Sequence, residues 1–197
     1  MEKIKIGYAF CGSFCTIKES VAALRRLAQM DYNIMPIMSS IVYSTDTRFG
    51  KAKDLIEEVE DICSAKIIHD ITSAEPIGPK NLLDLIVVSP CTGNTIAKTA
   101  LGVTDTSVTM AVKAHLRNDK PVVLGIATND ALGATANNLG LLDNTKNIFF
   151  VPYRQDDPLS KHNSLVCDFT LIPETVEKAL KGEQIQPVIT SNSIHNS

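Results

Sequence analysis

Leu85-Ile86-Val87-Val88 runs straight into Ser89-Pro90-Cys91-Thr92-Gly93-Asn94-Thr95-Ile96-Ala97-Lys98, and this junction limits the possible folds more than any other stretch. A short apolar run with no polar alternation reads as a buried strand of a parallel sheet. The residues after it open a helix, Asn94 to Leu101. Small hydroxyl and amide side chains at a strand's carboxyl end, leading into a helix amino terminus, make a natural anion site. The free backbone N–H groups point at the ligand, and Thr92, Asn94 and Thr95 add donors. The same residues also suit an ordinary N-cap at a tight strand-to-helix turn.

The pattern repeats along the chain. Ile4 to Phe10 is an apolar run ending at Cys11-Gly12-Ser13, and a helix follows with Ile17, Val21, Leu24 and Ala28 on one face. Asn33 to Met38 is the next strand, ending at Ser39-Ser40, and together these form a β-α-β unit with a right-handed crossover. Asp46 is placed to cap a second helix carrying Leu55, Val59 and Ile62 inward. Lys66 to His69 suits a short strand, and residues 70–80, with two prolines and a glycine, read as a loop. The central strand spans Leu83 to Val88. Gly102 breaks the helix after it, and Asp105 or Thr106 starts another containing Val108, Ala111, Val112 and His115. Pro121 to Ile126 is a strand ending at Ala127-Thr128-Asn129-Asp130. A helical segment reaches Leu142, Ile148 to Val151 is a strand, Phe169 to Ile172 is the last strand, and Pro173 starts a final helix.

Strands alternating with helices predict an α/β fold: a single-domain, Rossmann-like, doubly wound parallel sheet with helices on both faces over residues 1–182, then a loose tail at 183–197. The 197 residues suit one such core. With 44% hydrophobic and 21% charged residues the chain has the composition of a soluble globular protein. A net charge of −3 offers no electrostatic draw toward nucleic acid or an anionic membrane. No run of about 18 apolar residues exists to span a bilayer. Met1-Glu2-Lys3 leads into a strand without a signal-peptide apolar region, which favours the cytoplasm. Five cysteines without paired spacing fit reduced thiols, and no cysteine or histidine cluster has metal-ligand spacing.

Ligands of such sheets bind beyond the strands' carboxyl ends. Here four of those ends carry small polar residues: Cys11-Gly12-Ser13, Ser39-Ser40, Ser89 to Asn94, and Ala127-Thr128-Asn129. Gly7 and Gly12 are spaced as in a P-loop, but Ser13 stands where the lysine should, which disfavours nucleoside triphosphate hydrolysis. Ser39-Ser40 ends the second strand where a dinucleotide fold needs an acid for the ribose, so a nicotinamide dehydrogenase is disfavoured. A phosphate held by glycine, serine and backbone N–H groups remains, as in monophosphate flavin sites. No Ser-His-Asp order stands out among His69, His115, His162 and His195. His115 shares an apolar helix face, and Cys91, with no base placed to activate it, reads as a buried filler. Arg154 follows a strand on a charged loop, where it suits either a substrate carboxylate or plain solvation.

Pro90-Cys91-Thr92-Gly93-Asn94-Thr95-Ile96-Ala97-Lys98 followed by Gly102-Val103-Thr104-Asp105 resembles the P-x-S-x-N-T-x-x-K…G-x-x-D pattern of the flavoprotein family, which includes flavin-containing cysteine decarboxylases and flavin prenyltransferases. Val112-Lys113-Ala114, Lys120-Pro121 and Ala127-Thr128-Asn129 extend the resemblance over most of residues 4–175. It implies a homo-oligomer, a trimer or a dodecamer, with FMN near a subunit interface. Carried over residue by residue, Gly12 and Ser13 approach the FMN phosphate, Ser39 contacts the cofactor, and Thr92, Asn94 and Thr95 hold phosphate and ribityl chain. Asp105 and Ser107 lie nearby, and Asn129 and Arg154 are the candidates for substrate carboxylates. Gly93 replaces the usual alanine, a mild change.

The region that carries the decarboxylases' catalytic histidine reads Glu75-Pro76-Ile77-Gly78, and Pro76 has no proton to exchange. Their P-x-M-N substrate motif is represented by Ile126-Ala127-Thr128-Asn129, keeping only the asparagine. The resemblance therefore points to a divergent branch. That branch works with a separate NAD(P)-binding protein, in the mother-cell cytoplasm during sporulation, to oxidise a cyclic dihydro-dicarboxylate to an aromatic pyridine dicarboxylate. It leaves open an FMN-dependent decarboxylase, a flavin prenyltransferase, or a non-catalytic scaffold with a vestigial flavin pocket.

Overall fold

A computed structural model describes residues 3–191. In chain order the elements are β1 (Lys5–Phe10), α1 (Ile17–Ala28), β2 (Asn33–Met38), α2 (Ser40–Ser44), α3 (Ala52–Cys63), α4 (Ile71–Ala74), β3 (Leu85–Cys91), α5 (Gly93–Ala100), α6 (Ser107–Leu116), β4 (Val122–Thr128), α7 (Ala136–Asp143), β5 (Ile148–Phe150), β6 (Tyr153–Gln155), β7 (Leu165–Cys167) and α8 (Ile172–Ala179).

Strands β2-β1-β3-β4-β5 pair in parallel in that order. This is the doubly wound arrangement expected, and alternate residues of β3 show why its apolar run has no polar face. Leu85 and Val87 pack with α1, α3 and α8, through Leu24, Val59 and Val176. Ile86 and Val88 pack with α5, α6 and α7, through Ile96, Val112 and Leu142. Both faces are covered, so a charge at any of the four would lie in the core.

The sheet is mainly parallel, as expected, with an antiparallel edge. β5 pairs only with Val122–Leu124 of β4, and Pro152, which lacks an N–H, follows it closely. The rest of the β4 edge, Ala127 and Thr128, is taken by β7 running antiparallel, with β6 hairpinned outside it. The last strand is therefore Leu165–Cys167, and Phe169–Leu171 forms a 3-10 turn instead of a strand. The Asp168 carboxylate accepts from the Thr170 N–H at 2.9 Å, which turns the chain out of the extended state.

Smaller differences have local causes. Lys66 to His69 adds only one bridge, Ile68 beside Ile37, to the outer edge of β2. Asp46 does cap α3, but from the preceding loop, accepting the Ala52 N–H at 2.9 Å. Residues 70–80 hold α4, capped by Asp70 through the Ser73 N–H, and a 3-10 turn at Glu75–Ile77. The segment after 183 is pinned rather than loose up to Thr190. Gln184 exchanges two hydrogen bonds with the Phe150 backbone, and Thr190 N–H donates to the Tyr153 carbonyl at 2.9 Å. His195 and the rest of 192–197 lie outside the described residues. Among the described residues no helix is long and apolar enough to cross a membrane.

Candidate functional site

The strand order reverses between β1 and β3, which opens a crevice beyond their carboxyl ends. Three adjacent ends meet there. At β1, Ser13 N–H donates to the Cys11 carbonyl at 2.8 Å and folds Gly12 into a tight turn. Thr16 donates to the Ser13 hydroxyl at 3.1 Å. A side chain on Gly12 would begin 3.1 Å from Ile41 Cγ2, so glycine lets the loops after β1 and β2 approach each other.

At β2, Ser39 donates its backbone N–H to the Phe10 carbonyl at 3.0 Å, tying it to β1. Ser39 is 7% exposed, and its hydroxyl is the one buried side-chain polar atom among the described residues with no partner. A buried unsatisfied hydroxyl costs about 1–3 kcal/mol. This one stands at the carboxyl end of β2, beside the turn after β1.

At β3, Thr92 is the N-cap of α5, accepting the Thr95 N–H at 3.3 Å and donating to the Thr95 hydroxyl at 3.2 Å. The cap reading of the motif is what the hydrogen bonds show, and the N–H groups of Gly93 and Asn94 stand in the first turn of the helix. Asn94 is exposed.

The thiols beneath the crevice are inert. Burial pushes Cys11 up to about 11, and burial with Cys11 and Cys167 beside it raises Cys91 well above the ordinary thiol range. Cys91 is a packed filler, as its surroundings in the sequence predict. His115 is 1% exposed, and burial holds it down at about 4, with Nε2 bonded to the Pro121 carbonyl at 3.2 Å. It is a core residue. His69 stacks on Tyr43 with ring centroids 3.8 Å apart, and exposed His162 bonds the Pro158 carbonyl.

Asp105 and Ser107, read beside the cofactor in the sequence, have other partners. The Asp105 carboxylate lies 2.8 Å from Lys98, whose hydrogen bond holds it below its usual range. The pair ties α5 to the start of α6. Ser107 donates to the Met38 carbonyl at 2.5 Å and so fixes the β2 end immediately before Ser39. Both build the crevice wall rather than offering it free groups.

Asn129 is exposed at the end of β4. Arg154 is not on a free loop: it lies in β6, opposite Val166 of β7. It lines a separate cleft of about 380 Å³ with Thr16, Glu19, Arg26, Asp156 and Asp168. Thr16, which bonds Ser13, also lines this cleft, and Val166 stands between Arg154 and Ala127 of β4, two residues before Asn129.

Asp130 was not visible as a site residue in the sequence. Its carboxylate accepts from the Thr128 hydroxyl at 2.5 Å and the Thr135 hydroxyl at 2.9 Å. An ideal Cβ on Gly93 would fall 2.6 Å from Asp130 Oδ1, so the acid packs against the first residue of α5. The only sequence signal was Gly93 itself, standing where the family usually has alanine. Among the described residues no group of three or more His, Cys, Asp or Glu is gathered as for a metal ion.

The sequence matches the flavoprotein family across residues 1–194. The chain belongs to the flavoprotein family. It is similar to the B subunit of dipicolinate synthase from Bacillus subtilis (strain 168), at 45% identity over 188 residues covering 95% of this chain and 94% of that one. Among solved structures, the B subunit of dipicolinate synthase from Bacillus halodurans C superposes with a TM-score of 0.88 at 42% identity, covering 98% of this chain and 100% of the other. The FMN-dependent cysteine decarboxylase SpaF shares the fold alone, with a TM-score of 0.60 at 19% identity over 91% and 95% of the two chains. Family membership supports a flavin cofactor, and the strand-end residues have the chemistry to hold one: an unpartnered buried hydroxyl at Ser39, the first-turn N–H groups of α5, and the Gly12-Ser13 turn.

Proposed function

We propose that this chain is the flavoprotein subunit of a dipicolinate synthase. It acts with that enzyme's other, NAD(P)-binding subunit to oxidise a dihydrodipicolinate-type substrate to dipicolinate, pyridine-2,6-dicarboxylate, in the mother-cell cytoplasm during sporulation. The observation that carries this reading is 45% identity to a dipicolinate synthase subunit along nearly the whole of both chains. The absence of a titratable side chain at Pro76 supports it over cysteine decarboxylation, which needs an acid–base group there.

FMN is the cofactor proposed for the crevice. Gly12, Ser13, Thr92, Asn94 and Thr95 would hold its phosphate and ribityl chain, and the unpartnered Ser39 hydroxyl would donate to it. Bound FMN supplies a ring able to accept a hydride. Ser107 and the Lys98–Asp105 pair hold the walls in place. Asn129 is the proposed contact for a substrate carboxylate, and the chain assembles as a homo-oligomer, a trimer or a dodecamer, that completes the site at a subunit interface. Arg154, in the cleft shared with Thr16, is the second proposed carboxylate contact.

The test is to titrate the purified chain with FMN, following the visible spectrum, and to assay dipicolinate formation by the partner with and without it. FMN binding and chain-dependent product support the proposal. Full activity of the partner alone, with no flavin bound here, overturns it. Activity that survives loss of flavin binding in Asn94→Ala assigns the chain a scaffolding role instead.

A further inference from the structure

Loss of two hydrogens from a dihydropyridine ring requires a base as well as an oxidant. The groups around the crevice narrow that role. The Cys11 and Cys91 thiols are buried and protonated, Asp105 is held by Lys98, and the described histidines stack, pack or bond elsewhere. Asp130 differs from all of these. Its carboxylate is half-buried and receives two threonine hydroxyls, and no lysine or arginine pairs with it among the described residues. Neutral donors orient a carboxylate without a counter-charge, leaving a further lone pair on each oxygen. Its backbone is fixed too, since its carbonyl accepts the N–H groups of Gly133 and Thr135 at 2.9 and 3.3 Å.

The acid has a made place. A Cβ at position 93 would lie 2.6 Å from Asp130 Oδ1, 2.8 Å from Thr128 Oγ1 and 2.9 Å from Thr135 Oγ1. A methyl there would push this carboxylate and the two hydroxyls aside. Gly93, with no side chain, therefore leaves the carboxylate room for its present position against the start of α5, next to Asn129.

We infer that Asp130 is the proton acceptor of this site and that Gly93 is the residue that makes room for it, an inference that rests on the dipicolinate synthase reading. In the step, one ring C–H bond breaks and its hydrogen leaves with both electrons, a hydride equivalent that ends on NAD(P)+, the terminal oxidant that the partner protein carries. Another ring hydrogen leaves as a proton to the Asp130 carboxylate, and the electron pair of that bond becomes the new ring π bond. The products are the aromatic dicarboxylate, NAD(P)H and protonated Asp130, which returns its proton to water.

The experiment uses the complex of this chain with its partner and dihydrodipicolinate generated in situ. Asp130→Asn keeps the shape of the side chain. It is expected to lower turnover by about 100-fold or more, the usual worth of a positioned base, with FMN affinity and melting temperature unchanged. In D2O without NAD(P)+, the wild-type complex should wash deuterium into the substrate ring and Asp130→Asn should not, a readout that a structural role would leave alone. Gly93→Ala, which keeps the carboxylate but displaces it, should slow both reactions while circular dichroism stays native. Turnover and exchange within twofold of wild type in either variant overturn the inference. A wild-type complex that forms no dipicolinate overturns the functional reading itself.

Discussion

Ser39 sets stability against binding within one side chain. Its hydroxyl is desolvated with nothing to bond, so Ser39→Ala should leave the ligand-free protein as stable as wild type or more stable by about 1 kcal/mol. The same change should weaken FMN binding roughly tenfold, as expected for one lost hydrogen bond. Urea denaturation and fluorescence titration of the two proteins give both numbers. A loss of stability with no change in affinity would mean the hydroxyl serves the fold. At this scale the sequence showed which residue types stand at the strand ends, but not their partners. Asp105 reads as a site acid until Lys98, seven positions earlier, is found on it. Asp130 reads as a turn residue until Gly93 is found beneath it, because contacts of that separation leave no local spacing.

Elements are joined below the crevice by a buried polar chain. Tyr8 on β1 bonds the Ser20 hydroxyl on α1 at 2.9 Å, and Ser20 donates to the Ser89 carbonyl on β3 at 2.7 Å. Ser20→Ala takes the donor from both the Ser89 carbonyl and the Ser89 hydroxyl, while Tyr8 keeps its bond to the Ser20 carbonyl at 2.9 Å. The change should cost about 1–3 kcal/mol in a urea melt, whereas Lys18→Ala, exposed in the same helix turn, should cost almost nothing. A second consequence sits on α6. Burial lowers His115 from 6.5 to about 4 in the folded chain, so between those values the unfolded state binds the extra proton. Stability from this group is therefore full above pH 6.5 and lost as pH falls toward 4, by on the order of 3 kcal/mol. His115→Gln should flatten that part of the stability–pH curve, as measured by denaturation at pH 7 and pH 4.5. An equally steep fall in the variant would place the acid sensitivity elsewhere. The helices were legible because their apolar stripes are local: Ile17, Val21 and Leu24 are buried on α1 as the spacing predicts. The β6–β7 hairpin was not, since strands of three residues carry too few side chains to show a period.

Across the whole molecule, a ligand that binds only the folded chain stabilises all of it. With FMN at about 100 times its dissociation constant the gain is about 2.7 kcal/mol, which for a chain of this size raises the melting temperature by roughly 5–10 °C. Differential scanning with and without FMN checks this, with riboflavin, which lacks the phosphate, expected to shift it less. Equal shifts for the two would remove the phosphate from the crevice. The five parallel strands and their two helical layers followed from the sequence because each strand is short, apolar on both faces and bounded by turn residues. The division of the β4 edge between β5 and β7 did not follow, because it is a competition between segments remote in the chain.

Residues 85–98 were enough by themselves to determine a buried parallel strand feeding a capped helix, because burial pattern and capping act over a few neighbours. Which groups share the crevice was decided by the tertiary structure alone. Order reversal at β1 and β3 brings Ser13, Ser39 and Thr92 together, and the missing methyl of Gly93 lets Asp130 in, contacts set by packing between strand ends tens of residues apart.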